Sequence, residues 1–380
     1  MKVVLINHGT ADQWGGGDSV QIRETAKRLR QRGHEVSIQN SDKPDVTGAQ
    51  IAHIFNCRVY NSLRQQVETC KKASVPIVIS PIWMPLGRAM WGSRAMLAVL
   101  NKGIIDGEKS IQNDLKGMRE RKLAVNIDGK IYKYGSIEDG GIDWIEDVSR
   151  ILNEADGVLT NSWMELKSLQ LDLKYSKNNY DIGYYGVDTS LFQDKNPEIF
   201  RKATGINEPF VMQAGRIEPG KNQAMLCWAL RKTNIKIVLI GGSKHWPAYA
   251  ELCKKISGDN LKIIEHVNQD MLASAYSASR VHCLASWMDT CGLVSLEAGL
   301  CGTPLVGSTF GHELEYLQND AWLADPGDEN SVIECVENAW NAGRYCERSV
   351  RLKKRILSKY NWEQMASATE RLYKNIIERS

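Results

Sequence analysis

Short, densely apolar runs alternate along the first half of the chain with longer stretches in which apolar residues return every three or four positions. "KVVLINH" reads as a strand, and after "GGGD" the stretch "SVQIRETAKRLRQRGHEVSI" places Ile22, Ala26 and Leu29 on one helical face. Gly33 supplies the helix stop, and "HEVSI" begins the next strand. "IAHIFNC" and "PIVISPIW" read as buried strands, and "ADGVLTNS" and "YDIGYYGVD" close this half. A second series opens at "EPFVMQAGRI" and continues through "IKIVLIGG", "LKIIEHV", "RVHCLAS" and "TPLVGS", with segments of helical length between them. Strands apolar on both faces and alternating with helices predict mostly parallel sheets covered by helices. Two such series predict two Rossmann-like, doubly wound α/β domains, residues 1–190 and 191–358, with the boundary falling between Asp188 and Glu208. In such sheets ligands sit outside the carboxyl ends of the strands, so the cleft between the domains is the expected active site.

Composition narrows the class without naming a ligand. A chain of 380 residues with 43% hydrophobic and 24% charged residues fits a globular protein of two domains. The net charge of +3, from 48 basic and 45 acidic residues, does not point to nucleic acid. Nine cysteines, odd in number and without a CxxC pair, argue against a disulfide framework or a structural zinc site. No apolar run is long enough to span a bilayer, and the N-terminal run is too short for a secretory leader. The expected location is the cytoplasm or the inner face of a membrane.

Three stretches carry candidate chemistry. In "QWGGGDSVQ" glycines precede a helix start capped by Asp18 or Ser19, an arrangement that brings backbone N–H groups to an anion or simply makes a pliant turn. Its spacing is not that of a dinucleotide fingerprint. In "QAGRIEPGKNQ" Arg216 and Lys221 follow a strand, a fork and a point charge that suit a departing diphosphate or else stand as solvated surface cations. In "SWMDTCGLVSLEAGLCGTPLV" two acids, Asp289 and Glu297, stand in apolar company. With a helix starting at Gly292, Leu293, Leu296 and Leu300 share its buried face, and the two acids, eight residues apart, sit about 80° apart around the axis at about 100° per residue. Both then face the cleft mouth; an N-cap Asp289 and a structural Glu297 are the alternative.

In this order and spacing the chain resembles the retaining glycosyltransferases of family 4, which have the GT-B architecture. "GGDSVQIRETAKRLRQRGHEV" resembles the family's N-terminal glycine pair, helix and strand; "YYGVDTSLF" resembles its "NGVD..lF" segment; and "GRIEPGKN" resembles its "GR....K" motif. "DTCGLVSLEAGLCGTPLV" is similar to its E-x7-E signature, and "GHELEYLQNDAWLADPGD" to the segment that follows it. "KYNWEQMASATERLY" resembles the closing helix, implying that residues 359–380 cross back to the first domain. The likeness covers nearly the whole chain.

That resemblance implies transfer of a sugar, with retention, from a nucleotide-diphosphate donor to a carbohydrate or lipid-linked glycan acceptor, as in polysaccharide biosynthesis. It assigns the catalytic roles to Asp289, Arg216 and Lys221, the two cations clamping the diphosphate and Asp289 holding hydroxyls of the donor sugar. Donor binding falls to Gly16 and Gly17, to the backbone of Gly292, Leu293 and Val294, and to Glu297 on the ribose, with the base near "EHVNQ". It implies no metal and no cofactor beyond the nucleotide sugar itself. Three residues depart from the pattern: Asp289 replaces the commoner Glu, Cys291 replaces an aromatic residue, and "VISPIW" lacks the usual histidine, leaving Ser80 and Trp83 in its territory. His34, His53 and His282 are expected to be structural, and His8, at the end of the first strand, is the histidine placed for function. The stretch Trp83–Lys102, with Met84, Met90, Trp91, Met96 and Leu97 among Arg88, Arg94 and Lys102, reads first as a core-facing helix and second as a peripheral membrane contact for a lipid-linked acceptor. A nucleotide-sugar epimerase of the same fold and a non-catalytic nucleotide-sugar-binding subunit are the competing functions.

Overall fold

The computed structural model describes residues 1–11, 16–136, 142–193 and 195–379, with residues 142 and 143 described by backbone alone. By contacts the chain divides into unit 1 (Met1–Met84, Gly140–Gly186 and Lys359–Ser380) and unit 2 (Pro85–Asp139 and Val187–Ser358).

Unit 1 is built on a six-stranded sheet of β1 (Lys2–Asn7), β2 (Glu35–Asn40), β3 (Ile51–Phe55), β4 (Ile77–Ser80), β7 (Gly157–Thr160) and β8 (Tyr180–Ile182), in the order β2-β1-β3-β4-β7-β8. All its pairings are parallel. β3, β4 and β7 are buried along their whole length, as strands covered on both faces must be. The C-terminal helix Trp362–Ile377 lays Ala368, Leu372, Tyr373 and Ile376 into the same apolar cluster as Ile22, Ala26 and Leu29 of the helix Gly17–Gln31.

Unit 2 holds the second parallel sheet: β9 (Phe210–Ala214), β10 (Lys236–Ile240), β11 (Leu261–Ile264), β12 (Val281–Cys283), β13 (Leu305–Ser308) and β14 (Trp322–Ala324), in the order β11-β10-β9-β12-β13-β14. It also contains residues 85–139, which the sequence assigned to the first domain. These form the helices Leu86–Asp106 and Gln112–Arg119 and an antiparallel hairpin of β5 (Val125–Ile127) and β6 (Lys130–Tyr132). The reason is packing: Trp91, Met96, Val99 and Leu100 make the apolar stripe of the long helix, and they join the core of Met225, Trp228 and Trp287. Ion pairs support the union, with Arg231 on Glu108 at 2.8 Å and Arg121 on Asp325 at 2.6 Å. Trp91, Met96, Val99 and Leu100 of this helix are thereby taken up by core, whereas Ile104 and Ile105 near its C-terminal end are exposed, and Arg94 and Arg88 lie over the Tyr132 and Tyr134 rings at 5.0 and 5.8 Å.

No described helix is long and apolar enough to cross a membrane. All nine cysteines are free thiols, seven of them buried and Cys335 and Cys346 half-buried.

Candidate functional site

In unit 2 the chain runs from β9 through β10 to β11 on one side, then crosses to β12 on the other side of β9. Between β9 and β12 the winding reverses, so the segments leaving these two strands diverge around a crevice. Those segments, residues 215–222 and 284–292, hold two of the three stretches singled out in the sequence.

The Gly220 carbonyl locks the two segments together. It accepts the N–H groups of Trp287 at 2.9 Å and Met288 at 3.1 Å, and the Ser286 hydroxyl at 3.0 Å. Asn222, in a left-handed conformation at φ 60, donates its side-chain amide to the carbonyls of Ala285 at 2.8 Å and Pro326 at 2.9 Å. Behind this junction the Trp287 ring stands edge-on to Trp91 at 5.8 Å with the Arg121 guanidinium 5.2 Å away. The helix Leu86–Asp106 passes so close that a Cβ on Gly92 would lie 2.2 Å from the Trp287 ring.

On this scaffold Lys221 Nζ sits 2.8 Å from both carboxylate oxygens of Asp289, with the two side chains only 16% and 13% exposed. Asp289 is not a helix cap: the helix Leu293–Leu300 is capped by Gly292, at φ 62. The eight residues between the acids therefore cross a non-helical turn, and the 80° expected for a continuous helix does not apply. Leu296 and Leu300 are buried, while Leu293 and Val294 are half-buried in the first turn, where a helix has N–H groups without intrahelical acceptors. Glu297 accepts the Tyr276 hydroxyl at 2.9 Å; burial pushes its carboxyl up to about 7 against that hydrogen bond. Arg216 is forked onto Glu218, Nε to Oε2 at 3.1 Å and Nη2 to Oε1 at 3.2 Å. The structure thus brings Lys221 and Asp289 together. Arg216 and Lys221 each hold a different carboxylate, Glu218 and Asp289.

Glu313 belongs to this cluster and was not singled out in the sequence. It is fully buried, and no hydrogen bond of normal geometry reaches either carboxyl oxygen. Its Oε1 would lie 2.9 Å from a Cβ on Gly292, so the left-handed cap of the helix has to be glycine on two counts. Burial and the Asp289 charge push the Glu313 carboxyl up to about 8, against weaker downward pulls from Ser295, Lys221 and the Ser308 N–H. Asp289 holds the Lys221 ammonium directly, and the buried Glu313 behind it keeps its proton.

Comparisons with known proteins bear on the fold and on the activity class. Residues 195–375 match the family described as "Glycosyl transferases group 1". The D-inositol 3-phosphate glycosyltransferase of Kribbella flavida is 24% identical over 329 residues, which cover 80% of this chain and 76% of that protein. Sucrose-phosphate synthase from Thermosynechococcus elongatus is similar over 100% of both chains, with a TM-score of 0.74 at 16% identity. Anabaena Alr3699/HepE, solved in complex with UDP-glucose, has a TM-score of 0.68 at 14% identity over 100% of this chain and 99% of its own. The architecture is GT-B. The sequence likenesses support glycosyltransferase activity.

Within this GT-B chain the remaining candidates fall as follows. Gly16, with extended backbone, caps the helix Gly17–Gln31, and its carbonyl accepts the Val20 N–H at 3.2 Å. Asp18, expected with Ser19 as a cap, lies instead in the first turn and turns its carboxylate towards His8 and Asn56. Gln13, Trp14 and Gly15 of the glycine stretch lie outside the described residues. Ser80 and Trp83 are buried in unit 1, Ser80 on His53 Nε2 at 2.9 Å and Trp83 donating Nε1–H to Asp172 at 2.9 Å. In the "EHVNQ" region Glu265 accepts the Ser243 hydroxyl at 2.6 Å beside a groove of about 570 Å³, and Asn268 caps the helix Gln269–Ala278. Among the described residues no group of three or more His, Cys, Asp or Glu side chains is arranged to hold a metal ion.

Proposed function

We propose that the protein is a retaining glycosyltransferase that moves a sugar from a nucleotide-diphosphate donor to a hydroxyl of a carbohydrate or lipid-linked glycan. The observation that carries this reading is the Lys221–Asp289 pair, held at the β9/β12 crevice beside the helix start at Gly292. An ammonium and a helix N-terminus side by side suit an anion that gains charge as it leaves. On donor binding Lys221 exchanges Asp289 for the diphosphate, and Asp289 is released to accept hydroxyls of the donor sugar. Arg216, half-exposed, leaves Glu218 for the same diphosphate. Glu297, hydrogen-bonded by the Tyr276 hydroxyl, accepts the ribose hydroxyls.

In the reaction the bond from the anomeric carbon to the diphosphate oxygen breaks as the acceptor oxygen bonds to the same face of that carbon. The acceptor proton passes to the departing phosphate. Lys221, Arg216 and the helix terminus neutralise the leaving group in this scheme, which assigns no step to a metal.

The test is a panel of UDP-, GDP- and ADP-sugars, read by thermal stabilisation and by release of the free nucleotide diphosphate. One donor is expected to raise Tm and to be turned over. Failure of every nucleotide sugar to stabilise the chain, or wild-type turnover by a Lys221→Ala/Glu297→Ala double variant, would overturn the reading.

A further inference from the structure

Unit 1 repeats the strand logic of unit 2. The chain steps from β1 to β2 on one side and returns to β3 on the other, so its winding reverses between β1 and β3. The rule that places ligands outside the carboxyl ends of strands at such a reversal applies to this unit by itself.

A chain of polar side chains stands there. His8 and Thr10 follow β1, Asn56 and Arg58 follow β3, and Asp18 reaches in from the helix Gly17–Gln31. Thr10 Oγ1 and His8 Nδ1 are 2.9 Å apart, and His8 Nε2 lies 3.7 Å from Asp18 Oδ2. Asn56 donates Nδ2–H to the same Asp18 oxygen at 3.2 Å, and Arg58 donates Nε–H to Asn56 Oδ1 at 3.2 Å. There the chain ends. Arg58 Nη1 reaches only the Met84 sulfur at 3.9 Å, and among the described residues no carboxylate pairs with the guanidinium. Glu165, whose carboxyl burial pushes up to about 7 against smaller pulls from its backbone donors and the Arg58 charge, is already taken by the N–H groups of Trp83 at 2.7 Å and Asn161 at 2.6 Å.

A half-buried guanidinium with its outer edge unpaired has lost hydration without gaining a counter-charge. That edge is the fork that matches an oxyanion. The backbone supplies a second, independent sign. Asn56 at φ 71 and Ile82 at φ 52 occupy the left-handed region just after β3 and β4, and for a β-branched residue that is a true outlier. Such strain costs roughly 1–3 kcal/mol per residue and gathers at ligand sites. At Asn56 it aims the amide between Asp18 and Arg58. The other end of the chain is negative: burial would raise Asp18, but hydrogen bonds from His8, the Ser19 N–H and Asn56 overcome it and leave the carboxyl at about 2. Asp18 therefore repels a second anion while accepting hydroxyl protons, which sets a direction for any ligand.

We infer that unit 1 holds a subsite for an acidic polyol or sugar, with its oxyanion on Arg58 and a neutral hydroxyl on the Asp18–His8 pair. The inference rests on the glycosyltransferase reading only in making that ligand the acceptor. A phosphomonoester and a carboxylate offer the same chemistry to the guanidinium, and the probes separate them.

The experiment is calorimetric titration of the full chain and its Arg58→Gln and Arg58→Lys variants with myo-inositol 3-phosphate, glucuronate, their neutral parents myo-inositol and glucose, and inorganic phosphate. UDP, GDP and ADP are titrated in parallel. One of the acids is expected to bind at least 10-fold tighter than its neutral parent, and inorganic phosphate to compete with it. Arg58→Gln should abolish that advantage, a loss of about 10- to 100-fold for a hydrogen-bonded charge, with Arg58→Lys restoring part of it. Nucleotide diphosphate binding should be untouched, which also reports that the Gln variant is folded. Equal binding of acids and neutral parents overturns the subsite. So does an advantage that survives in Arg58→Gln, or a loss that falls on the nucleotides instead. If the acid preference holds and depends on Arg58 while no nucleotide diphosphate binds, the subsite stands and the glycosyltransferase reading falls.

Discussion

Replacing Glu313 with glutamine should change how the stability of unit 2 depends on pH far more than it changes the fold. The Glu313 carboxyl is fully buried and sits at about 8, raised from an ordinary value of 4.5. Between those values the native chain holds one proton that the unfolded chain has released. Stability then falls as pH rises, by about 1.4 kcal/mol per unit. The contribution is complete below pH 4.5 and lost once pH has passed through about 8. Over that span of some 3.5 units the loss comes to about 5 kcal/mol, the upper end of what one buried carboxyl contributes. Glutamine keeps the shape and cannot ionise. Its amide adds an offset that is the same at every pH, so the slope is the quantity that tests the reasoning.

The assay is urea unfolding of the wild type and Glu313→Gln at half-unit steps from pH 5 to pH 9, followed through the tryptophan fluorescence that Trp91, Trp228 and Trp287 give the core of unit 2. Taking the difference between the two proteins at each pH cancels groups they share, including Glu297, whose carboxyl lies at about 7. The variant should gain on the wild type steadily with rising pH and level off above pH 8. Parallel curves would mean that Glu313 is already ionised in the native state, and the account of a buried Glu313 that keeps its proton beside Asp289 would be refuted.

Three further outcomes check other parts of the site. Lys221→Ala removes the ammonium 2.8 Å from Asp289 and should weaken nucleotide-diphosphate binding about 10- to 100-fold by calorimetry; unchanged affinity would separate Lys221 from the donor. Tyr276→Phe removes the one hydrogen bond that draws the Glu297 carboxyl down, so its proton affinity should rise above about 7. The pH at which donor binding is half-maximal should move upward with it, and an unmoved profile would argue against Glu297 as the ribose acceptor. Gly92→Ala would put a methyl group 2.2 Å from the Trp287 ring, and overpacking of this kind typically costs about 1–3 kcal/mol; a Tm equal to the wild type would show that the junction behind Asp289 is looser than its geometry.

The two sheets were legible because most of their strands, such as β3, β4 and β7, are apolar on both faces: every run read as a strand is found paired in a parallel ladder. What was missed is short or ambiguous. β14 is three residues, "WLA", too brief for periodicity to register. The β5–β6 hairpin did carry a local signal, the Asp128–Gly129 pair, whose residues take φ 51 and 81 as an Asp-Gly hairpin turn requires. Glu313 escaped notice because a single acid among apolar neighbours looks the same in sequence whether it is solvated or buried.

Residues 85–139 show where one-dimensional reading ends. The stretch holding Met90, Trp91, Met96 and Leu97 read first as a core-facing helix, and Trp91 and Met96 are buried, but a stripe says that a partner exists and not which one. The partner is chosen by shape: Gly92 leaves a flat place on the helix, the Trp287 ring fills it, and Trp287 stands two residues before Asp289. The backbone N–H of the same Trp287 is held by the carbonyl of Gly220, whose neighbour is Lys221. A helix encoded in the first half of the chain thereby packs behind both members of the Lys221–Asp289 ion pair. Asp289 and Lys221 are 68 residues apart in sequence and 2.8 Å apart in space. What closes that distance is the strand order, since only a sheet whose winding reverses between β9 and β12 delivers the two segments to one crevice.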